Sequence, residues 1–296
     1  MTASKITGVI PILIIPFDSQ GRIDVDSLQN LIDFNINSGV HGIGIANGSE
    51  IFKLNESERK LVTKIVVDHV AGRVPVIINT GAHGTGLAIQ YSKLAQEQGA
   101  DGLMIIPPHF FPVGTKQVAD YYEAIDIEIT IPIFLQDIPQ SPIPPSLALE
   151  LAKKCKNISY IKVETSPIAT KVFQMVDATK DVLTIFGGAG GSYFIEEMRR
   201  GAKGTMPFCS QPKEFVEVWN LFQKGDEEEA INIFNKFIVP MSRLEIQTND
   251  LCYHLHKQFL VKLGVIRTSH VRGPTMLPDP ISQSEIDEMI ELMSNK

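Results

Sequence analysis

The chain has 296 residues, long enough for two average domains or for one large barrel. Hydrophobic residues make up 44% and charged residues 21%, as in a globular protein with a full core; a formal net charge of −7 without a Lys/Arg-rich run weighs against nucleic acid or anionic membrane as a partner. Three scattered cysteines (Cys155, Cys209, Cys252) without a C-x-x-C pair argue against a disulfide framework and, with no apolar run of bilayer length, predict a cytoplasmic protein.

The first apolar run, residues 9–16, holds Pro11 and Pro16, lacks a small-residue cleavage site and leads straight into Asp18-Ser19-Gln20-Gly21. It reads as a buried strand and not as the core of a signal peptide. Further short runs rich in Ile, Val and Leu follow at residues 42–46, 74–80, 102–106, 131–135, 159–163, 182–186 and 203–208. Near-continuous apolar runs of this kind suit parallel strands buried on both faces. The segments between them have helical spacing and recognisable ends. Asn55, with Glu58 three residues on, reads as an N-cap ahead of Leu61, Ile65 and Val66. The helical stretch 87–98 stops at Gly99, Pro144-Pro145-Ser146 opens another, and 214–224, carrying Trp219, stops at Gly225.

Eight β-runs, each followed by a helical segment, predict an α/β fold: a (β/α)8 TIM barrel over residues 1–225. Residues 226–296 hold helical patterns at 227–239, 250–263 and 284–294 and no β-run, so they are expected as a C-terminal helical appendage packed on the barrel as one structural unit. A doubly wound open sheet is the runner-up. It would usually place a Gly-rich phosphate loop after the first strand, where the chain reads Pro16-Phe17-Asp18.

In such barrels the active site lies at the C-terminal ends of the strands. Within Ile158-Ser159-Tyr160-Ile161-Lys162-Val163-Glu164 a period of two puts Tyr160, Lys162 and Glu164 on one face and Ile161 and Val163 on the other. If the latter pair meets the helices, Lys162 points into the barrel, where an ammonium is costly to hold and tends to become a nucleophilic amine. A lysine whose stem packs while its head reaches solvent is the other reading of the strand alone.

From Lys162 outward the chain resembles the dihydrodipicolinate synthase and N-acetylneuraminate lyase family of class I Schiff-base aldolases. The resemblance rests on an ordered series: Pro16-Phe17 with Gly21-Arg22-Ile23-Asp24, Gly48-Ser49-Glu50 with Leu54 and Glu58-Arg59, and Gly99-Ala100-Asp101-Gly102. Ile131-Pro132-Ile133, Ile161-Lys162 and Gly201-Ala202-Lys203-Gly204 complete it. It implies a barrel with C-terminal helices, an imine-forming lysine at Lys162, a homo-oligomer (tetramer or dimer), and no metal or organic cofactor. The departures are local. The family's hydroxyl residues after strand two are replaced by Asn47-Gly48, with Ser49 at the following glycine. Its relay tyrosine at the end of strand five is Gln136, its carboxylate-binding arginine falls at about Ser141, and its paired tyrosines after strand four are His109-Phe110.

The chemistry so implied begins with amine attack on C2 of a small 2-oxo acid, which yields an iminium that acidifies the C3 protons. The enamine can then make or break a C–C bond, or expel a hydroxyl from C4 of a 3-deoxy-2-oxo sugar acid. Gln136 cannot titrate, so it is expected to orient a water or a substrate hydroxyl. His109 and Glu164 are the acid–base candidates, with Asp137 facing away if the strand continues. Asn47, Gly48 and Ser49 are expected to bind the substrate carboxylate through backbone N–H groups and a hydroxyl, and Glu50 to brace that loop. Gly187 and Gly188 let the backbone approach the substrate or form a plain turn. His254 and His256, two apart on a helix, face apart and make a poor metal pair. Three functions remain: an aldolase or dehydratase of 3-deoxy-2-oxo sugar acids, a 4-hydroxy-tetrahydrodipicolinate synthase of lysine biosynthesis, and a non-catalytic 2-oxo-acid sensor.

Overall fold

Each of the eight apolar runs contributes a strand to one parallel sheet in a computed structural model of the chain, which describes residues 6–111, 113–248 and 250–294. The strands are β1 Gly8–Val9, β2 Ile43–Ile45, β3 Val76–Asn79, β4 Gly102–Ile105, β5 Ile133–Asp137, β6 Ile158–Val163, β7 Thr184–Gly187 and β8 Gly204–Thr205. Their order is β1-β8-β7-β6-β5-β4-β3-β2, every strand pair being parallel. The helices that connect them are α1 Val25–Asn37, α2 Glu56–Val70, α3 Thr85–Glu97, α4 Thr115–Asp126, α5 Pro145–Lys154, α6 Ile168–Thr179 and α7 Phe194–Arg199. After β8 come α8 Pro212–Lys224, α9 Glu227–Ile233, α10 Val239–Glu245, α11 Leu251–Lys262 and α12 Pro280–Ser294. The architecture is α/β and TIM-barrel-like, with helices at the C-terminus. The two ends of the sheet approach each other: His41 N donates to Val9 O (2.8 Å), and Gly44 N to Pro11 O (2.9 Å).

Local chemistry sets the ends of these elements. Asn55 caps α2 by accepting from Glu58 N at 2.9 Å, while Asn55 N donates in turn to the Glu58 carboxylate at 3.0 Å. Gly225 closes α8 at φ 84°, a conformation that suits a residue without Cβ. The expected helix 227–239 runs further, to Glu245, by way of a π-turn over Phe234–Ile238. Pro240 lacks the N–H that an α-turn would require, and the wider turn just before it accommodates that loss. The last helix starts at Pro280 and not at 284, because the Asp279 carboxylate accepts from Ile281 N (2.9 Å) and Ser282 N (3.1 Å).

The side chains alternate as a doubly covered parallel sheet demands. Ile161, Val163 and Leu135 join the large core between strands and helices. Ile10, Ile12, Ile77, Met104, Phe134, Tyr160, Phe186 and Met206 fill a second core on the opposite face of the curved sheet. Burying each such side chain contributes about 1.5–3 kcal/mol. Phe134 stacks on Tyr160 at 4.1 Å, and this aromatic floor lies one strand repeat below Lys162. The chain after α11 returns across the first βα units: Arg272 binds Glu58 at 2.8 Å, and Arg267 binds Asp24 at 3.0 Å.

Candidate active site at the C-terminal ends of the strands

Lys162 is 5% exposed, and its ammonium donates to Glu164 Oε1 at 3.0 Å. It lines a cavity of about 290 Å³ together with Asn47, Gly48, Gln136, Glu164 and Phe208. That volume lies at the small end of ordinary ligand sites. On β5, Gln136 pairs in register with Lys162 on β6. Its Nε2 donates to Glu164 Oε2 at 2.8 Å, which orients the amide, while its Oε1 is buried without a partner. Glu164 also accepts from Ala189 N at 3.1 Å. Burial alone would raise the Glu164 pKa, but the charge of Lys162 and the bonds from Gln136 and Ala189 hold it below the usual carboxylate range.

Asp137 turns the other way, as the strand period requires. It is fully buried and accepts from Ile143 N (2.7 Å), Thr165 N (3.2 Å) and Lys171 Nζ (2.5 Å), tying the loops after β5 and β6 to α6.

The turn after β2 holds Asn47, Gly48 and Ser49. Asn47 and Gly48 face the cavity, whereas Ser49 is fully buried and its Oγ accepts from Ala46 N at 3.0 Å. Ser49 N and Glu50 N donate to Ala46 O and Asn47 O, which keeps the turn tight. Glu50 sits at φ 56°, left-handed for a residue with a Cβ, at a cost of about 1–3 kcal/mol. Its carboxylate pairs with Lys257, equally buried, and with Lys53 at 3.0 Å. Tyr253 adds a bond from its hydroxyl to Asn47 O at 3.1 Å, so α11 braces the loop.

His109 stands apart from Lys162. It packs edge-on to His83 (4.6 Å between ring centres) in a neighbouring cavity of about 340 Å³, which shares Asn47 with the first. Gly187 and Gly188 lie behind the Lys162 cavity and not on its wall. A Cβ on Gly187 would overlap the Glu197 carboxyl, and one on Gly188 the Glu164 side chain.

Sequence reasoning passed over Glu197, which is fully buried on α7. It also passed over a buried chain from the C-terminal helices, in which Ser210 Oγ meets His256 Nδ1 at 2.7 Å and His256 Nε2 meets Glu245 at 2.8 Å. His254 instead contacts Thr275 at 3.0 Å. Among the described residues, no group of three or more His, Cys, Asp or Glu is placed to hold a metal ion. No helix among them is long and apolar enough to cross a membrane.

The model of the dihydrodipicolinate synthetase family matches residues 5–295. L-2-keto-3-deoxyarabonate dehydratase of Azospirillum brasilense is 28% identical over 94% of this chain and 92% of its own length. 4-Hydroxy-tetrahydrodipicolinate synthase of Methanocaldococcus jannaschii is 32% identical over 82% and 85%. A crystal structure of a dihydrodipicolinate synthase superposes with a TM-score of 0.90 at 28% identity, covering 97% of this chain and 99% of that one.

Proposed function

We propose that in this chain, which belongs to the dihydrodipicolinate synthetase family of Schiff-base lyases, Lys162 is the imine-forming amine and the substrate is pyruvate or a 3-deoxy-2-oxo sugar acid. One observation carries the reading: a buried lysine opens onto a cavity with a carboxylate 3.0 Å from its nitrogen. Glu164 takes a proton from the ammonium, and the free amine adds to C2 of the 2-oxo acid. The adduct's second N–H proton passes to its alkoxide, and Glu164 gives its own proton to the hydroxyl so formed, so that water departs and the cationic iminium remains. The same carboxylate then removes a C3 proton to generate the enamine.

Gln136 holds Glu164 in place through Nε2 and presents Oε1, an acceptor without a protein partner, to a substrate hydroxyl. The substrate carboxylate binds at the turn after β2 through the N–H groups of Asn47 and Gly48, while Ser49, its hydroxyl turned inward, shapes the turn. Gly187 and Gly188 make room for the carboxyl side chains behind the cavity, and His109 serves the distal end of a longer substrate through the cavity that shares Asn47.

Aldol chemistry or dehydration of a sugar acid is favoured over the synthase reaction because Gln136 occupies the relay tyrosine's place and Ser141 the arginine's. The likeness to a 2-keto-3-deoxyarabonate dehydratase supports the same ordering. The test is turnover by the purified protein. Release of product from 3-deoxy-2-oxo sugar acids is expected, whereas efficient condensation of pyruvate with aspartate semialdehyde would reverse the ordering. Reversible binding of 2-oxo acids with no turnover would make the chain a sensor.

The wider reading is a closed (β/α)8 barrel over residues 1–225 with residues 226–296 packed on it, supported by the bonds from His41 and Gly44 to the first strand segment. A cytoplasmic homo-oligomer, tetramer or dimer, is part of it. Phe110 and Phe111, 71% and 76% exposed on adjacent positions, offer an apolar contact for a second copy.

A further inference from the structure

Two carboxyl groups flank the glycine pair at the end of β7. Glu164 lies against Gly188 and Glu197 against Gly187, each so close that a Cβ at the glycine would overlap the carboxyl side chain. Glu164 is saturated, with bonds from Lys162, Gln136 and Ala189. Glu197 differs in every respect: it is fully buried, and neither Oε1 nor Oε2 has a hydrogen-bond partner. A carboxylate so placed would have no side-chain donor on it and only the charge of Lys162 and the nearby Gly188 N–H to offset its burial. Its undissociated acid, by contrast, costs far less to bury than the charge.

We propose that Glu197 is a positioning residue of the Schiff-base cycle, a carboxylic acid kept neutral behind Gly187 so that Lys162 faces one negative charge, that of Glu164, and not two. The inference rests on the reading of Lys162 as the imine-forming amine. Burial first, then the charges of Glu164 and Glu196, push the Glu197 pKa up to about 8, against weaker opposing pulls from the charge of Lys162 and the backbone N–H of Gly188. Those three groups, on β6, the segment after it and α7, are the charges that bear on it.

The consequence follows from charge balance. With Glu197 neutral, the ammonium of Lys162 and the carboxylate of Glu164 cancel, and passing one proton between them creates no net charge in the site. With Glu197 ionised, an uncompensated negative charge stabilises the ammonium form and opposes release of the proton that imine formation requires. Glu197 touches neither substrate nor Lys162 in this scheme; it acts through the field at Glu164.

The test is the pH dependence of imine formation, read as the rate of borohydride trapping with pyruvate, in the wild type, Glu197→Gln and Glu197→Asp. In the wild type the rate should fall on the alkaline side of the point near pH 8 where Glu197 ionises. In E197Q, neutral at every pH, that fall should be absent, and E197D should restore it. Superimposable wild-type and E197Q profiles would overturn the proposal while leaving the Schiff base standing. No wild-type adduct at all would remove the underlying reading and this proposal with it. Infrared titration of the wild type tests the point without a variant. An undissociated carboxyl band that persists at neutral pH and bleaches as the pH passes about 8 is expected, and its absence would contradict the assignment.

Discussion

Lys162 and Glu164 are two residues apart at the end of β6, and their charged ends meet at 3.0 Å inside the cavity, not in solvent. The strand period places both side chains on the inner face, and the charge of one is the nearest compensation for the other. A structural ion pair and a nucleophile with its proton acceptor have the same geometry. Replacement of the acceptor separates them. Glu164→Gln is expected to slow imine formation by about 10²–10⁴-fold while leaving Lys162 in place, measured as the rate of reductive trapping. A purely structural pair would lose stability without that selective loss of rate.

Gln136→Leu removes the 2.8 Å bond to Glu164 and the buried acceptor beside it. A hydrogen bond to a charged group contributes about 1.5–3 kcal/mol, so kcat should fall by about 10–100-fold with the Lys162 adduct still formed. Steady-state kinetics beside adduct mass would check this, and an unchanged kcat would remove Gln136 from the site.

Lys257 and Glu50, both fully buried, join α11 to the turn that carries Asn47 and Gly48. Lys257→Met leaves Glu50 facing Lys53 alone and should destabilise the protein by about 3–5 kcal/mol in denaturant unfolding. The double change Lys257→Met with Glu50→Gln should recover part of that loss, since no charge is then stranded.

The raised pKa of Glu197 has a thermodynamic sign. An ordinary glutamate titrates at 4.5, whereas the folded group holds its proton to about 8, so between those values the folded chain binds a proton that the unfolded chain has released. The stability this supplies is full below pH 4.5, declines across the window and is gone above about 8. Unfolding curves of wild type and E197Q should therefore converge on one pH dependence only after this component is subtracted. The wild type should lose more stability from mild acid to pH 8.

The strands were legible because burial on both faces forces unbroken apolar runs, and a single charged residue such as Lys162 then stands out. Asp137 could be placed on the outer face by the same period of two. Side-chain direction within turns was not legible: Ser49 turns inward to Ala46 N, and His109 packs on His83, choices set by contacts distant in sequence. Glu197 was hidden for a different reason. In Phe194-Ile195-Glu196-Glu197-Met198-Arg199 it resembles the solvated face of a surface helix, and only the glycines at 187 and 188 hinted that a side chain needed the space.

The most direct test of the chemistry is borohydride reduction in the presence of pyruvate, followed by intact mass and peptide mapping. A single pyruvate-sized adduct on Lys162, absent from Lys162→Ala, is the expected result. A folded wild-type protein that gives no adduct with pyruvate or with longer 2-oxo acids, or one that carries the adduct on another lysine, would contradict it.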